Sequence, residues 1–265
     1  MTLRMRQICL VARELAPVVA AIERVFGLAV CYRDSAVGKY GLENALFPVG
    51  TGFLEVVAPI VGDTAAGRYL DRRRGDGGYM VITQCDDLEP RRARCAALGV
   101  RIANEIAHPA YRELQLHPRD VGGTMLSFGR QDQRGGPSDT SPGDCAADDP
   151  WHPAGGDWKH AARTDVVRAM GGAELQGDDP ERLARRWSDV VERPVGRDAR
   201  GRPTIALDDA TLRFVAATDG RGEGLAGLDL RCADAARVRA AAKEHGVAVG
   251  DDAVTIGGMR CYLVR

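Results

Sequence analysis

In the stretch LAPVVAAIERVFGL, residues 15–28, apolar side chains fall at 15, 18, 19, 22, 25 and 26. That spacing is the stripe of an amphipathic helix, and Gly27 is placed to end it in a left-handed cap. Before it, QICLVA reads as a short buried strand. After it, 29–32, 45–49 and 53–58 are rich in apolar residues and separated by turn formers, so each is expected to be a strand. The order is β-α-β-β-β.

The same pattern returns three times. GGYMVITQCDD predicts a strand, and Asp87 can cap a helix over LEPRRARCAALGV that ends at Gly99; RIANEIAH, RELQLH and TMLSFG follow as strands. A third copy opens with VVRAMGGAELQGDD and the helix PERLARRWSDVV, with Asp179 as cap and Pro180 in the first turn. TIALDD and TLRFVAA are its later strands. The fourth copy runs from GLAGLDLRCAD through the helix AARVRAAAKEHGV, capped by Asp234 and ended at Gly246, to the short strands VTIGG and MRCYLV. One helix and about three closely spaced strands per copy predict an α+β fold of four βαβββ units, with mostly antiparallel neighbours. No strand is followed by a glycine-rich phosphate loop, which removes the usual nucleotide-binding folds.

Between the second and third copies, 131–165 is rich in Gly, Pro, Ser and Asp and reads as a linker. Trp151 and Trp158 are expected to dock on a domain surface. The expected organisation is a domain over 1–130, this linker, and a shorter domain over 166–265. Charge adds little to the picture: 36 basic and 37 acidic residues give a net charge of −1, and aromatics are only 5%. Neither a nucleic-acid surface nor an anionic-membrane surface is indicated. No apolar run reaches the length of a membrane helix, and the N-terminus lacks a signal-peptide pattern. Seven scattered cysteines without a C-x-x-C pair suit reduced thiols, so a cytoplasmic location is expected.

The chemistry concentrates in FLEVVAP, residues 53–59. On a strand, Phe53, Glu55 and Val57 share one side and Leu54, Val56 and Ala58 the other, so both sides read as buried. An ionised Glu55 there costs several kcal/mol or more unless it is paired. Elsewhere, Asp71-Arg72-Arg73-Arg74 is a basic run, read either as a solvated loop or as a contact for a carboxylate or phosphate.

Paired βαβββ units resemble the vicinal oxygen chelate superfamily, which includes glyoxalases, extradiol dioxygenases, methylmalonyl-CoA epimerases and bleomycin-binding proteins. RQICLVARELAPVVAAIERVFGL, FLEVVAP and HPRDVGGTMLSFG carry the resemblance over 4–130, and AELQGDDPERLARRW carries it more loosely over 166–265. It implies two glyoxalase-like domains, each a sheet around a cleft. In that family a divalent cation in the cleft polarises a substrate with adjacent oxygens, using ligands from the first and last strands of each unit. Here the matching positions in unit one are Gln7 and Glu55, which implies a half-site for zinc, nickel, manganese, iron or magnesium. In unit two they are Met80 (or Tyr79) and Ser127, which do not complete it. Units three and four offer Gly172, Arg213, Gly227 or Ala226, and Cys261, so the second domain is expected to be metal-free.

The candidates for proton transfer are thus Glu55 and His117, the latter before the turn into the last strand of unit two; His117 can equally cap that turn. Gln7, Tyr79, Met80, Ser127 and Arg119 are the candidate substrate contacts. Three functions stand open. One is a glyoxalase-like isomerase or lyase acting on a small oxygenated metabolite in the first cleft. Another is a metal-free small-molecule binder of the drug-resistance type, and the last a non-catalytic scaffold. Extradiol chemistry fits worst, because its two-His-one-carboxylate iron site cannot be assembled from these positions. The expected partner is a small molecule, for a monomer or a homodimer.

Overall fold

The computed structural model describes residues 1–132 and 148–265; part of the linker, with Cys145, lies outside them. The first repeat comprises β1 (Leu3–Val11), α1 (Leu15–Phe26), β2 (Leu42–Val49) and β3 (Gly52–Pro59). After α2 (Ala65–Arg73), the second comprises β4 (Gly77–Cys85), α3 (Glu89–Ala97), β5 (Ile102–His108), β6 (Tyr111–Leu116), α4 (Pro118–Val121) and β7 (Met125–Gln131). The third holds β8 (Val167–Gly177), α5 (Pro180–Val191), β9 (Val195–Arg197), β10 (Pro203–Ala206) and β11 (Thr211–Ala216). The fourth holds β12 (Gly224–Cys232), α6 (Ala235–Glu244), β13 (Ala248–Val249), β14 (Ala253–Ile256) and β15 (Met259–Val264).

The strands form a seven-stranded sheet, β2-β3-β1-β4-β7-β6-β5, and an eight-stranded sheet, β13-β14-β15-β12-β8-β11-β10-β9. In every repeat the first strand pairs parallel with the last, and the remaining neighbours within the repeat are antiparallel. This is the α+β arrangement of four βαβββ units paired into two glyoxalase-like sheets.

Local chemistry explains why the helices fall where they do. The Asp179 side chain accepts from the Arg182 N–H at 2.9 Å, Pro180 opens the first turn, and Leu183, Ala184, Trp187, Val190 and Val191 form the buried face of α5. Gly27 ends α1 at φ +66°, as the helix stripe required. Two expectations need correction. Residues 29–32 make only an isolated bridge, Tyr32 to Leu46, rather than a strand. The basic run after residue 70 is no loop either: Asp71, Arg72 and Arg73 close α2, with Arg73 buried.

Packing gathers the repeats into two compact units that are not consecutive in the chain. One, the Glu55 unit, comprises Gln7–Tyr79, Pro153–Gly171 and Ala226–Arg265. The other, the Gln84 unit, comprises Met1–Arg6, Met80–His152 and Gly172–Leu225. In the Glu55 unit α1 lies against α6 and β14, and a Cβ on Gly257 would meet Leu10 and Val18 at 3.1 Å. In the Gln84 unit α5 lies against α3 and α4; Trp187 Nε1 donates to the Val121 carbonyl at 2.7 Å and Arg91 to the Val191 carbonyl at 3.0 Å. Both bonds satisfy polar groups inside apolar packing, where an unmade one is costly.

Candidate functional site

The parallel register of β1 and β3 sets Gln7 beside Phe53 and Cys9 beside Glu55, and β2 adds Asn44 beside Val57. Side chains two residues apart share a face, so Gln7, Cys9, Asn44, Phe53 and Glu55 project together. Glu55 is 7% exposed. Its Oε2 accepts from Gln7 Nε2 at 2.8 Å and its Oε1 from Asn44 Nδ2 at 2.7 Å. The Asn44 side-chain Oδ1 in turn accepts from the Asp34 backbone N–H at 2.8 Å, which orients the amide so that its NH2 meets the acid. Burial pushes the Glu55 carboxyl above its usual range and the Asp34 charge adds to that, while the bonds from Asn44, Cys9 and Gln7 oppose it. The net direction is upward, toward a carboxyl that holds its proton more readily.

On the Glu55 face, Phe53 carries an aromatic neighbour. Trp158, on the 3-10 turn Trp158–Ala161, meets Phe53 edge-on at 5.1 Å. Tyr79 stands edge-on to Tyr69 at 5.0 Å, and the Tyr69 hydroxyl donates to the Gly78 carbonyl at 2.7 Å. Burial also raises the Tyr79 hydroxyl, which therefore stays protonated as a donor.

The residues named from sequence divide between the units. Gln7, Glu55 and Tyr79 fall in the Glu55 unit, whereas Met80, Ser127, His117 and Arg119 fall in the Gln84 unit. Gln7 and Glu55 are in direct contact. Met80 and Ser127 are buried on β4 and β7. His117 caps α4: its Nδ1 accepts from the Arg119 N–H at 3.3 Å, and Arg101 lies against the same nitrogen at 3.3 Å. Arg119 is exposed. Asn44 was not foreseen, although an amide preceding the apolar run ALFPV is the signal that marks it.

The donor set at Glu55 does not fit a divalent cation. Amide nitrogens, not oxygens, face the carboxylate, and among the described residues no group of three or more His, Cys, Asp or Glu is placed to hold one. In the third repeat, Glu174 on β8 pairs with Arg213 on β11 at 3.1 Å, in register. A solvent-facing pocket of about 280 Å³ near the start of α2 contains Arg13 and Arg68, but each is paired there with a carboxylate, Asp71 at 3.0 Å and Asp63 at 2.6 Å. It offers an anion little net positive charge.

Paired βαβββ repeats with a polar face on the first and last strands define the vicinal oxygen chelate class of fold, and the comparisons agree. Residues 8–191 match the family model described as "Glyoxalase-like domain", well over half of the chain, so the chain belongs to that family. Its fold is similar to a mutant of 4-hydroxymandelate synthase from Streptomyces coelicolor, at TM-score 0.65 and 13% identity over 92% of this chain and 75% of that one. It is equally similar to a hypothetical protein from Staphylococcus aureus, at TM-score 0.65 and 11% identity over 99% of both chains. Methylmalonyl-CoA epimerase in complex with methylmalonyl-CoA and NH4+ aligns with 54% of the chain at TM-score 0.45 and 20% identity. No curated protein matches the sequence. Among the described residues no helix is long and apolar enough to cross a membrane.

Proposed function

We propose that the protein binds a small oxygenated molecule on the Glu55 face without a metal ion, as a binding member of the glyoxalase-like family. The observation that carries this reading is the double amide clamp. Gln7 and Asn44 satisfy one lone pair on each Glu55 oxygen, the role a cation has in the chelating members of the superfamily. With the Cys9 thiol as a third donor, one acceptor position of the carboxylate is left for a ligand hydroxyl. Phe53, on the same face, and Trp158 against it supply the apolar flank that small-molecule sites usually have.

A second reading rests on a separate observation, the upward shift of the Glu55 carboxyl. A buried acid whose carboxyl is raised above its usual range is suited to moving a proton next to a carbonyl, as an isomerase or lyase requires. The two readings are separated by elemental analysis and a ligand screen on wild type and Glu55→Leu. A binder is expected to purify without stoichiometric metal and to show thermal shifts with hydroxy and keto compounds that Glu55→Leu loses, and none of those compounds is turned over. Stoichiometric metal that disappears in Glu55→Leu would overturn the metal-free reading. Turnover abolished by Glu55→Gln would establish the proton-transfer one.

A further inference from the structure

The outermost strand of a sheet presents N–H and C=O groups with no neighbour, and proteins usually guard them. One sheet here ends in β2 and β5, the other in β13 and β9. β13 and β9 hold two and three residues, too few to receive a partner strand. β2 is guarded. Its hairpin loop of Gly50 and Thr51 makes Val49 and Gly52 a hydrogen-bonded pair, so Pro48 and Leu46 turn their backbone groups outward. Pro48 has no N–H to offer. The Leu46 N–H donates to the Tyr32 carbonyl at 3.0 Å, and the Leu46 carbonyl accepts from the Cys31 N–H at 2.8 Å.

β5 is open by the same reasoning. Its loop of Pro109 and Ala110 makes His108 and Tyr111 the bonded pair, so Ile106 and Asn104 bond to β6 while Ala107 and Glu105 turn outward. Both are exposed, and among the described residues no hydrogen bond reaches the outward backbone of either. The strand, IANEIAH, contains no lysine or proline to repel a neighbour, and its Glu105 side chain is held by Arg92 of α3. We propose that this edge docks β5 of a second copy of the chain, antiparallel about a two-fold axis at Ile106. The sequence is self-complementary in that register. Ile106, half-buried, meets the same residue of the second copy; Glu105 stands opposite Ala107, and Asn104 opposite His108. Outward groups then meet outward groups, and no like charges face each other. An axis at Glu105 would set that acid against its own copy, and an axis at Ala107 would set it against Pro109, which has no N–H. The turn at one end and the irregular register between Ile102 and Asn104 at the other bound the open run.

Analytical ultracentrifugation of the full chain across roughly 1–100 μM tests this, with wild type and Ala107→Pro. One strand pair makes a small interface, so wild type is expected to shift from monomer toward dimer within that range. Ala107 and Arg112 are a non-bonded pair, so Ala107→Pro removes an outward N–H and leaves the bonds to β6 in place. It is expected to raise the dissociation constant at least about tenfold while the circular dichroism spectrum stays that of wild type. Crosslinking reads the register. Non-bonded pairs bring side chains closest, so Ile106→Cys is expected to form a disulfide-linked dimer under mild oxidation faster than wild type or Glu105→Cys. The proposal is overturned if wild type is a monomer throughout, if Ala107→Pro dimerises as tightly, or if Ile106→Cys crosslinks no faster than Glu105→Cys. If Ala107→Pro does not fold, the wild-type mass and the crosslinking comparison decide.

Discussion

Glu55 and Glu174 are both buried carboxylates on strand faces, yet they are neutralised by opposite means. In the first repeat the amide Gln7 stands on the first strand and the acid on the last. In the third repeat the acid, Glu174, stands on the first strand, and Arg213 occupies the last-strand position. The guanidinium gives Glu174 a full countercharge at 3.1 Å. Glu55 receives only neutral donors, so burial wins and its proton affinity rises. The same repeat topology therefore yields an acid held by a guanidinium in one place and an acid held only by neutral donors in another.

Breaking the ion pair should have the largest effect. Arg213→Met is expected to cost about 3–5 kcal/mol, because it removes the guanidinium paired with the buried Glu174. Urea unfolding followed by fluorescence measures it; a loss below about 1 kcal/mol would mean that Arg213 contributes no more than a surface ion pair and that the contrast with Glu55 is overdrawn. Replacing both residues together, Glu174→Leu with Arg213→Met, should recover most of the loss, since two well-packed apolar groups can replace a buried pair at little cost.

A smaller loss is expected at the amide clamp. Asn44→Ala removes the donor to Glu55 Oε1 and the acceptor of the Asp34 N–H. About 1–3 kcal/mol should disappear, the usual cost of stranding a buried polar group. Ligand-induced thermal shifts should weaken in the same variant, because the carboxylate would no longer be held in place. Stability and ligand shifts equal to those of wild type would remove Asn44 from the site.

The sequence already exposed much of this contrast, and its blind spots have physical causes. Periodicity and caps located α5 at Pro180–Val191 and α6 behind Asp234, because those signals are local and the helices are amphipathic. It did not reveal α2, Ala65–Arg73, whose AAGRYLDRR is strongly polar and carries a helix-weakening glycine; there Thr64 Oγ1, accepting from the Gly67 N–H at 2.9 Å, decides. The Gln7–Glu55 pair was legible, since first and last strands of one repeat are close in the family pattern. Asn44 was not. It is a single amide at the border of an apolar strand, and only register reveals that it is buried beside an acid. The pairing of Glu174 with Arg213 likewise needed the register of β8 and β11, which spacing alone does not give.

The smallest expected effect, a slope rather than an offset, is the sharpest test of the Glu55 side. Burial raises its carboxyl in the folded state above the unfolded value of about 4.5. Below the unfolded value both states are protonated and the shift has no consequence. As pH rises past it, the unfolded chain gives up its proton while the folded chain still holds one, so the folded state binds more protons and stability falls with pH. Above the raised folded value the penalty is complete. Glu55→Gln cannot titrate. Its stability relative to wild type should therefore increase as pH rises above about 4.5 and level off once the raised folded value is passed, whatever the offset between the two proteins at low pH. Parallel urea titrations of both proteins across that range read the difference directly and cancel the other titrating groups. A difference that does not change with pH would mean that the clamp of Gln7 and Asn44 offsets burial completely. A difference that moves in favour of wild type would mean that Glu55 has a positive partner after all, and would place it with Glu174 as a structural acid.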